Sequence, residues 1–256
     1  MEKNPVHSPF FSIVTVAYNP GDLLKATMES VLEQEFKNFE WVVVDGGSSD
    51  GTQEFLRQQS DRIDQLLVEP DRGIYDAMNK GLSLANGAFV LFLNCGDRLL
   101  HPKVLSEVAA AATPATRIIS SDFTTVSNAR ATEGNYIATA PCTLAHLRRD
   151  FNACHQAIYI HRSLWGRFDL DYRLLADYKW VVEAATGLPE EAIVHLSTST
   201  VAYLKGGASA KSTLLNFKER FRLHRELFGF GQVLKNIPNY ARRVLREVKQ
   251  FILSPS

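Results

Sequence analysis

The sequence predicts an α/β protein built around a largely parallel sheet, and three observations support this. Short apolar runs rich in Val, Ile and Phe alternate with segments whose apolar residues recur at helical spacing. Breaks rich in Gly, Asp, Asn and Ser separate these runs from the segments that follow. Four such strands and three such helices alternate before residue 100, which is the pattern of right-handed βαβ crossovers.

The first strand, 10–17, has no charged residue, which is typical of a strand buried on both faces. A helix is predicted over 23–32, with Asp22 positioned to cap its N terminus. The rest of the first half repeats the pattern, with strands over 39–44, 63–69 and 89–93 and helices over 52–59 and 74–85. Gly87 follows the last of these helices as a predicted C-terminal cap.

The second half of the chain is less regular, and antiparallel additions to the sheet are expected there. Its predicted elements are helices over 104–112 and 174–186, strands over 117–123, 136–138 and 194–204, and two tail helices over 214–228 and 239–253.

The composition is that of a globular domain with an appendage: 256 residues, 45% hydrophobic, 22% charged and a formal net charge of zero. The zero hides a split. Residues 1–204 have 17 basic and 25 acidic side chains, whereas residues 205–256 have 11 basic and 3 acidic. We therefore expect an acidic body over 1–204 and a basic helical tail over 205–256 that meets an anionic partner.

Several classes of protein are excluded by what the sequence lacks. The longest apolar run, 88–93, is far shorter than the roughly 20 residues of a membrane span, and no basic and apolar leader is visible. Three cysteines without paired spacing argue against a disulfide framework or a zinc site and favour a cytoplasmic compartment. The GxxxxGK[ST], GxGxxG, GxSxG and HExxH motifs are absent.

Polar clusters follow three of the predicted strands, at 18–19, 45–50 and 94–97. The carboxyl ends of parallel strands meet at one edge of a sheet, so these clusters should share a rim where ligands bind. Any one of them alone would be an ordinary turn. Together, their carboxyl and amide oxygens suit Mg²⁺ or Mn²⁺ and a diphosphate, with Asp97 as the metal ligand and Asp45 accepting from a base or ribose.

Four ordered motifs resemble family-2 glycosyltransferases, in particular bacterial exopolysaccharide and O-antigen transferases of the colanic-acid type. The motifs are SIVTVAYN from Ser12, VDGGSSDGT from Val44, EPDRGIYDAMNKG from Glu69 and LNCGD from Leu93. The resemblance covers about residues 10–209. It implies a GT-A fold, a Rossmann-like mixed sheet with a C-terminal helical extension here, and inverting transfer from a nucleoside-diphosphate sugar. The Gln-x-x-Arg-Trp motif of processive members is absent, which favours addition of a single sugar.

The resemblance also implies roles for individual residues of the rim. The nucleotide-sugar site is implied to comprise Ala17, Tyr18, Asn19, Asp45, Asp71, Arg72, Gly73, Asn94 and Gly96. The family's metal motif begins with Asp where this chain has Asn94, so Asp97 is left as its charged ligand for Mn²⁺ or Mg²⁺.

Asp177 is the predicted catalytic base. The family usually has Glu-Asp at a helix start in this region, and here Ala176 replaces the Glu. Inversion requires a carboxylate opposite the leaving diphosphate that takes the acceptor's proton; the alternative is a first-turn Asp that interacts with the helix dipole. His155 and Gln156 are assigned to the acceptor side, although a lone His is often structural.

The segment Gly206, Gly207 and Ser209 resembles a closing Gly-Gly-x-Ser segment of the family and is expected to form a lid over the donor, or a simple hinge.

The tail, over 214–253, has the pattern of basic amphipathic helices that lie on anionic membranes. Alternatively, its apolar stripes pack on the body or on a second copy of the chain, as a homodimer. No nucleic-acid-binding motif supports a nucleic-acid partner.

The sequence therefore favours a peripheral enzyme on the cytoplasmic face of the membrane. Its donor would be a UDP-sugar, or secondarily a GDP-sugar, and its acceptor a polyprenyl-diphosphate-linked saccharide. Two alternatives stay open at this point: a sugar nucleotidyltransferase of the same fold, and a catalytically degraded sugar- or nucleotide-binding partner, as Asn94 and Ala176 would suggest.

Overall fold

A computed structural model of the chain describes residues 8–149, 154–206 and 213–240. Within these residues, nine strands form one sheet in the order β3-β2-β1-β4-β8-β6-β9-β5, with β7 paired to β6. The strands are β1 (Phe11–Ala17), β2 (Phe39–Asp45), β3 (Gln65–Val68), β4 (Phe89–Phe92), β5 (Arg98–Leu99), β6 (Ile118–Val126), β7 (Asn135–Ile137), β8 (Ile158–His161) and β9 (Ile193–Leu204).

The first four strands form the parallel half of the sheet, as predicted. β1 runs parallel to both β2 and β4, and β3 runs parallel to β2. In the registers, Ala17 lies opposite Asp45 and Val14 lies opposite Phe92. The carboxyl ends of these strands therefore meet at one rim, and the polar clusters that follow them are neighbours.

The helices cover both faces of this sheet. They are α1 (Leu23–Leu32), α2 (Thr52–Gln58), α3 (Ile74–Leu84), α4 (Val104–Ala111), α5 (Leu144–Leu147), α6 (Ala176–Ala185) and α7 (Thr213–Phe228), and residues 230–240 are also helical. Successive strand residues point to opposite faces, so the buried strands supply two separate cores. Val14 packs in one core with Met78 and Trp180, whereas Ile13 packs in the other with Leu24.

The antiparallel additions expected in the second half are present. β8 inserts antiparallel between β4 and β6, and β9 runs parallel to β6 with an irregular register near Asp122. β5 and β8 were not predicted, because each is short and its place in the sheet depends on partners far along the chain. Insertion of β8 brings His155 and Gln156, which directly precede it, to the rim next to the end of β4.

Three local predictions need correction. Asp22 occupies the N-cap position of α1, but its carboxylate binds Lys25 Nζ at 2.7 Å instead of a helix N–H. Gly87 does not cap a helix, because α3 already ends at Leu84. A Cβ on Gly87 would lie 2.5 Å from the backbone nitrogen of Ser12, so the glycine instead permits the close approach of β1. The predicted helix over 239–253 begins earlier, since 230–240 are already helical; residues 241–253 lie outside the described part.

Helix α7, the first helix of the predicted tail, packs on the body through one face. Leu223 is fully buried in the same core as Trp180, and Leu227 and Phe228 pack against that core. Among the described helices, none is both long enough and apolar enough to cross a membrane.

Candidate functional site

The ends of β1 and β2 form one continuous surface at the rim. Gly46 N donates to the carbonyl of Ala17 at 2.8 Å, and Asn19 N donates to Ser48 Oγ at 2.8 Å. Asn19 adopts a left-handed conformation (φ 47°), which Asn tolerates better than most residues, and its side-chain oxygen accepts from Ser49 N at 2.7 Å. The two loops are therefore locked together by backbone and side-chain bonds.

Asp45 is fully buried at the base of this surface. Its Oδ2 accepts from the backbone N–H groups of Gly47 at 3.1 Å and Ser48 at 2.9 Å, while Oδ1 is buried without a hydrogen-bond partner among the described residues. A buried carboxylate oxygen without a partner is costly, so it is expected to accept from a bound group. The position suits the ribose or base contact predicted for Asp45.

The turn after β3 closes against the same loops. Asp71 Oδ1 accepts from Gly73 N at 2.8 Å, and Asp71 Oδ2 lies so close to Gly46 that a Cβ there would be 2.0 Å away. Arg72 is held by Asp76, to which its backbone N–H and guanidinium both donate, yet its side chain is 78% exposed. Tyr18 is 68% exposed on the neighbouring loop, so both side chains are available to a ligand.

Asp97 is buried below the rim, and protein groups engage both of its carboxylate oxygens. Gln156 Nε2 donates to Oδ2 at 2.8 Å, and the backbone N–H of Leu204 at the end of β9 donates to Oδ1 at 2.8 Å. Burial raises the pKa of Asp97 to about 6, against the lowering effect of these two hydrogen bonds. Gly96 (φ 95°) makes the turn before it, where a Cβ would meet Leu204.

These contacts do not fit a metal site held by the protein. Each oxygen of Asp97 already accepts one hydrogen bond from the protein, and the described residues contain no group of three or more His, Cys, Asp or Glu side chains placed to hold an ion. Asp97 instead ties β9 to the rim through Leu204 and fixes Gln156. Its role as a metal ligand therefore stays a prediction, and no chemical step below depends on it.

Asp177, the second residue of α6, lies at the centre of a hydrogen-bonded cluster. His155 Nδ1 lies 2.7 Å from Asp177 Oδ2, and Tyr75 OH and the backbone N–H of Tyr178 donate to Oδ1 at 3.1 and 2.8 Å. The other ring nitrogen of His155 lies 3.2 Å from the amide nitrogen of Asn94, at the end of β4. Asn94, His155 and Asp177, three predicted site residues, are thus brought into direct contact.

The cluster keeps Asp177 ionised although it is largely enclosed. Burial by itself would raise the pKa of Asp177. Three contacts outweigh burial and lower the pKa: the hydrogen bond from His155 together with the charge of that ring when protonated, the backbone N–H of Tyr178 and the hydroxyl of Tyr75. Its side chain remains 13% exposed. Oδ2 accepts one hydrogen bond where Oδ1 accepts two, so Oδ2 keeps a lone pair for an incoming hydroxyl.

The start of α6 is held by α7. Glu219 is buried, and its carboxylate accepts from the backbone N–H groups of Arg173, Leu174 and Leu175 at 2.7, 2.9 and 3.1 Å. These groups lead into the helix that presents Asp177, and no carbonyl of the helix itself reaches them. A tail residue therefore fixes the position of the predicted base.

Sequence reasoning missed Tyr75, Glu219 and the backbone of Leu204. Tyr75 lay within one of the motifs, but nothing local marked it as a partner of Asp177, 102 positions away.

The structure describes one residue of the predicted lid. Gly206 follows β9 in a left-handed conformation (φ 100°), whereas Gly207 and Ser209 lie outside the described residues.

The sequence of this chain is similar to those of known glycosyltransferases. The family described as Glycosyl transferase family 2 matches residues 12–171. A PGL/p-HBAD biosynthesis glycosyltransferase of Mycobacterium tuberculosis is 34% identical over 179 residues, covering 67% of this chain and 68% of the relative. The putative teichuronic acid biosynthesis glycosyltransferase TuaG of Bacillus subtilis is 37% identical over 99 residues, covering 38% of this chain and 39% of its own.

Solved structures share the fold. S. aureus TarS 1-349 in complex with UDP-GlcNAc aligns with a TM-score of 0.63 at 19% identity. The alignment covers 84% of this chain and 65% of the TarS chain. The mannosyltransferase PcManGT of Pyrobaculum calidifontis, in complex with GDP-Man and Mn²⁺, aligns with a TM-score of 0.58 at 18% identity, covering 99% of this chain and 78% of its own. At these identities the likeness establishes architecture, and it confirms the fold expected from the sequence.

Proposed function

The chain belongs to glycosyltransferase family 2, and from that premise we propose that it transfers one sugar, with inversion, from a nucleoside-diphosphate sugar to a hydroxyl of its acceptor. The observation that supports this best is Asp177: an ionised, largely enclosed carboxylate with a lone pair left on Oδ2. Its partner Tyr75 lies two residues after the turn proposed to close the nucleotide site, so base and donor site adjoin.

The proposed reaction is a single displacement. The acceptor oxygen forms a bond to C1 of the sugar while the bond from C1 to the diphosphate oxygen breaks, and that electron pair leaves with the nucleoside diphosphate. The acceptor's O–H bond breaks at the same time, and its proton passes to Asp177 Oδ2. Attack opposite the leaving diphosphate inverts the configuration at C1.

The donor site would be the rim. Asp45 Oδ1 is the buried acceptor for a ribose hydroxyl or base N–H, and Tyr18 and Arg72 are exposed beside it. Ala17, Asn19, Asp71 and Gly73 shape the surrounding backbone. We propose UDP as the nucleotide, with GDP second; among the structural neighbours, one was solved with UDP-GlcNAc and another with GDP-Man.

The biological product is proposed to be a cell-surface polysaccharide or glycolipid, since relatives are named for glycolipid and teichuronic acid biosynthesis. A polyprenyl-diphosphate-linked saccharide is the proposed acceptor. We propose that His155 and Gln156 serve the acceptor side. The lid predicted at Gly206, Gly207 and Ser209 stays a prediction.

A membrane surface is the proposed location of that acceptor, on the cytoplasmic face. In the helix over 230–240, Phe230, Leu234 and Ile237 recur on one face and are each more than half exposed. The sequence that follows adds Arg242, Arg243, Arg246 and Lys249. Apolar side chains beside basic ones suit an anionic bilayer. Sedimentation with phosphatidylglycerol vesicles should be lost on the double change Leu234→Glu and Ile237→Glu and kept on Leu170→Glu, another exposed leucine.

Product analysis tests the function itself. Purified protein is incubated with UDP- and GDP-sugars and a membrane lipid extract, and released nucleotides are separated. Nucleoside diphosphate with a glycosylated lipid is the expected result. Pyrophosphate release would establish a nucleotidyltransferase instead, and no turnover with any donor that binds would favour a non-catalytic sugar- or nucleotide-binding protein.

Dependence on Mn²⁺ or Mg²⁺ is a separate proposal. The Pyrobaculum enzyme was solved with Mn²⁺. Here the donor's diphosphate would have to supply most of the ligands, because the described residues form no group of three or more His, Cys, Asp or Glu side chains that could hold an ion. Transfer is measured after EDTA treatment and after re-addition of each ion. Loss and recovery are expected, and unchanged transfer in EDTA would remove the metal from the mechanism.

A further inference from the structure

We propose that Asn94 controls the charge of His155, and through it the basicity of Asp177. The three residues form a chain of hydrogen bonds from the end of β4 to α6: Asn94 Nδ2 to His155 Nε2 at 3.2 Å, then His155 Nδ1 to Asp177 Oδ2 at 2.7 Å. This inference deepens the proposed function and rests on it, since it concerns the base of that reaction.

The direction of the first hydrogen bond decides the charge of the ring. An ionised Asp177 can only accept, so His155 Nδ1 must hold a proton. If Asn94 donates to Nε2, that nitrogen must offer its lone pair and the ring is neutral. If the amide oxygen faced Nε2 instead, the ring would have to donate there too and would be a cation.

The surroundings of Asn94 favour the donating arrangement. With Nδ2 toward His155, the buried Oδ1 is left without a partner. Reversing the amide would place both N–H groups in that unpartnered position, and buried N–H groups without partners are rarer than carbonyl oxygens without them. The amide is therefore most stable as a donor to a neutral imidazole.

The charged groups that face His155 are few among the described residues. Asp177 contacts the ring directly, and Asp97 acts on it through space while its own oxygens bind Gln156 and Leu204. Tyr75 meets the far oxygen of Asp177. Among the described residues, Asn94 is the group that meets Nε2 of the ring.

The consequence concerns the strength of the base. A cationic His155 would form an ion pair with Asp177 and make the carboxylate a poorer proton acceptor. A neutral His155 orients Asp177 without neutralising it. Asn94 is thus a positioning residue for the reaction. A carboxylate at position 94 would accept from Nε2 and convert the ring to a cation.

The test is NMR of the ¹⁵N-histidine-labelled full chain at pH 7. The His155 signal is assigned by its absence in His155→Gln. We expect one proton on the wild-type ring, on Nδ1, and protons on both nitrogens in Asn94→Asp. Asn135→Asp, the same change at an exposed site on β7, should leave the His155 signal as in wild type.

Kinetics give an independent readout. Asn94→Asp should lower kcat about tenfold at pH 7, because the carboxylate beside a cationic ring is a poorer proton acceptor. A doubly protonated His155 in the wild type would overturn the proposal even if the variant failed to fold, and so would higher activity of Asn94→Asp in Mn²⁺. Absence of sugar transfer by the wild type would refute the proposed function while leaving the NMR result on the ring intact.

Discussion

The carboxylates of the nucleotide rim and of the cluster around Asp177 are held by hydrogen bonds of different range. At the rim, Asp45 binds N–H groups two and three residues ahead, and Asp71 binds one two residues ahead. The side chains that bind Asp177 lie 22 and 102 positions away, and Glu219 binds the backbone before α6 from 44 to 46 positions away. Local turns on parallel strands thus form one half of the site, and docking of distant elements forms the other.

This difference has a consequence for mutations. A change at the rim alters one turn and should affect donor binding while the chemistry survives. A change in the Asp177 cluster should reduce the rate of the chemical step, because the reacting group or its orientation changes while the donor turn stays folded. The following predictions probe this separation, from the largest expected effect to the smallest.

Asp177→Asn should give the largest loss. Removing the proton acceptor is expected to lower kcat by about a hundred- to ten-thousand-fold, the usual contribution of general base catalysis, with donor affinity unchanged. Initial rates of nucleoside diphosphate release and donor titration calorimetry measure the two quantities. Asp171→Asn is the matched control, since that side chain is 80% exposed. Transfer by Asp177→Asn at the wild-type rate would remove Asp177 as the base.

Glu219→Gln should give the second-largest loss of activity. Replacing a charged acceptor that serves three backbone N–H groups is expected to reduce the free energy of unfolding by about 2 kcal/mol and kcat about tenfold, because α6 loses its anchor. Glu226→Gln, on the same helix but bound to Tyr172 and Arg222, should leave kcat unchanged.

Denaturant titration measures the stability of Glu219→Gln and initial rates measure its kcat, and the two together test whether Glu219 positions Asp177. If Glu219→Gln lowered stability without lowering kcat at a temperature where the variant is folded, α7 would support the fold alone, and the proposed positioning of Asp177 by the tail would be wrong.

Gly46→Ala tests the rim. A Cβ there would lie 2.0 Å from Asp71 Oδ2, so Asp71 must move. We expect the donor Kd to rise about tenfold while kcat at saturating donor stays within twofold, measured by calorimetry and initial rates. Gly231→Ala, where a Cβ meets open space, is the control. A fall in kcat with unchanged donor affinity would contradict the separation of the two halves.

Tyr75→Phe should have the smallest effect. The hydroxyl lowers the pKa of Asp177, so its loss raises that pKa toward the ordinary carboxyl value. The carboxylate is the active form above its pKa, so activity should fall away at a higher pH on the acid side and change little at pH 7. A pH profile of kcat/KM measures this. Tyr136→Phe, whose hydroxyl binds Asp122 elsewhere, should not shift the profile.

The parallel half of the fold was predictable because its signals are local. β1, β2 and β4 are largely apolar runs buried on both faces, and the turns after them contain the Gly, Asp and Asn that such turns need. The short strands β5 and β8 were not predictable in the same way, because two and four residues hold too little pattern and the sheet alone defines them.

The sequence by itself predicted Asp45 and Asn94 as site residues from the strand ends that periodicity reveals, and it predicted His155 and Asp177 through the family resemblance. Tertiary structure decided what each one touches. Insertion of β8 beside β4 sets His155 between Asn94 and Asp177, and docking of α7 on α6 brings Glu219 under the base. The physical reason is range: a turn is fixed by neighbouring residues, whereas a hydrogen bond across 102 positions forms only when two packed elements bring its atoms together.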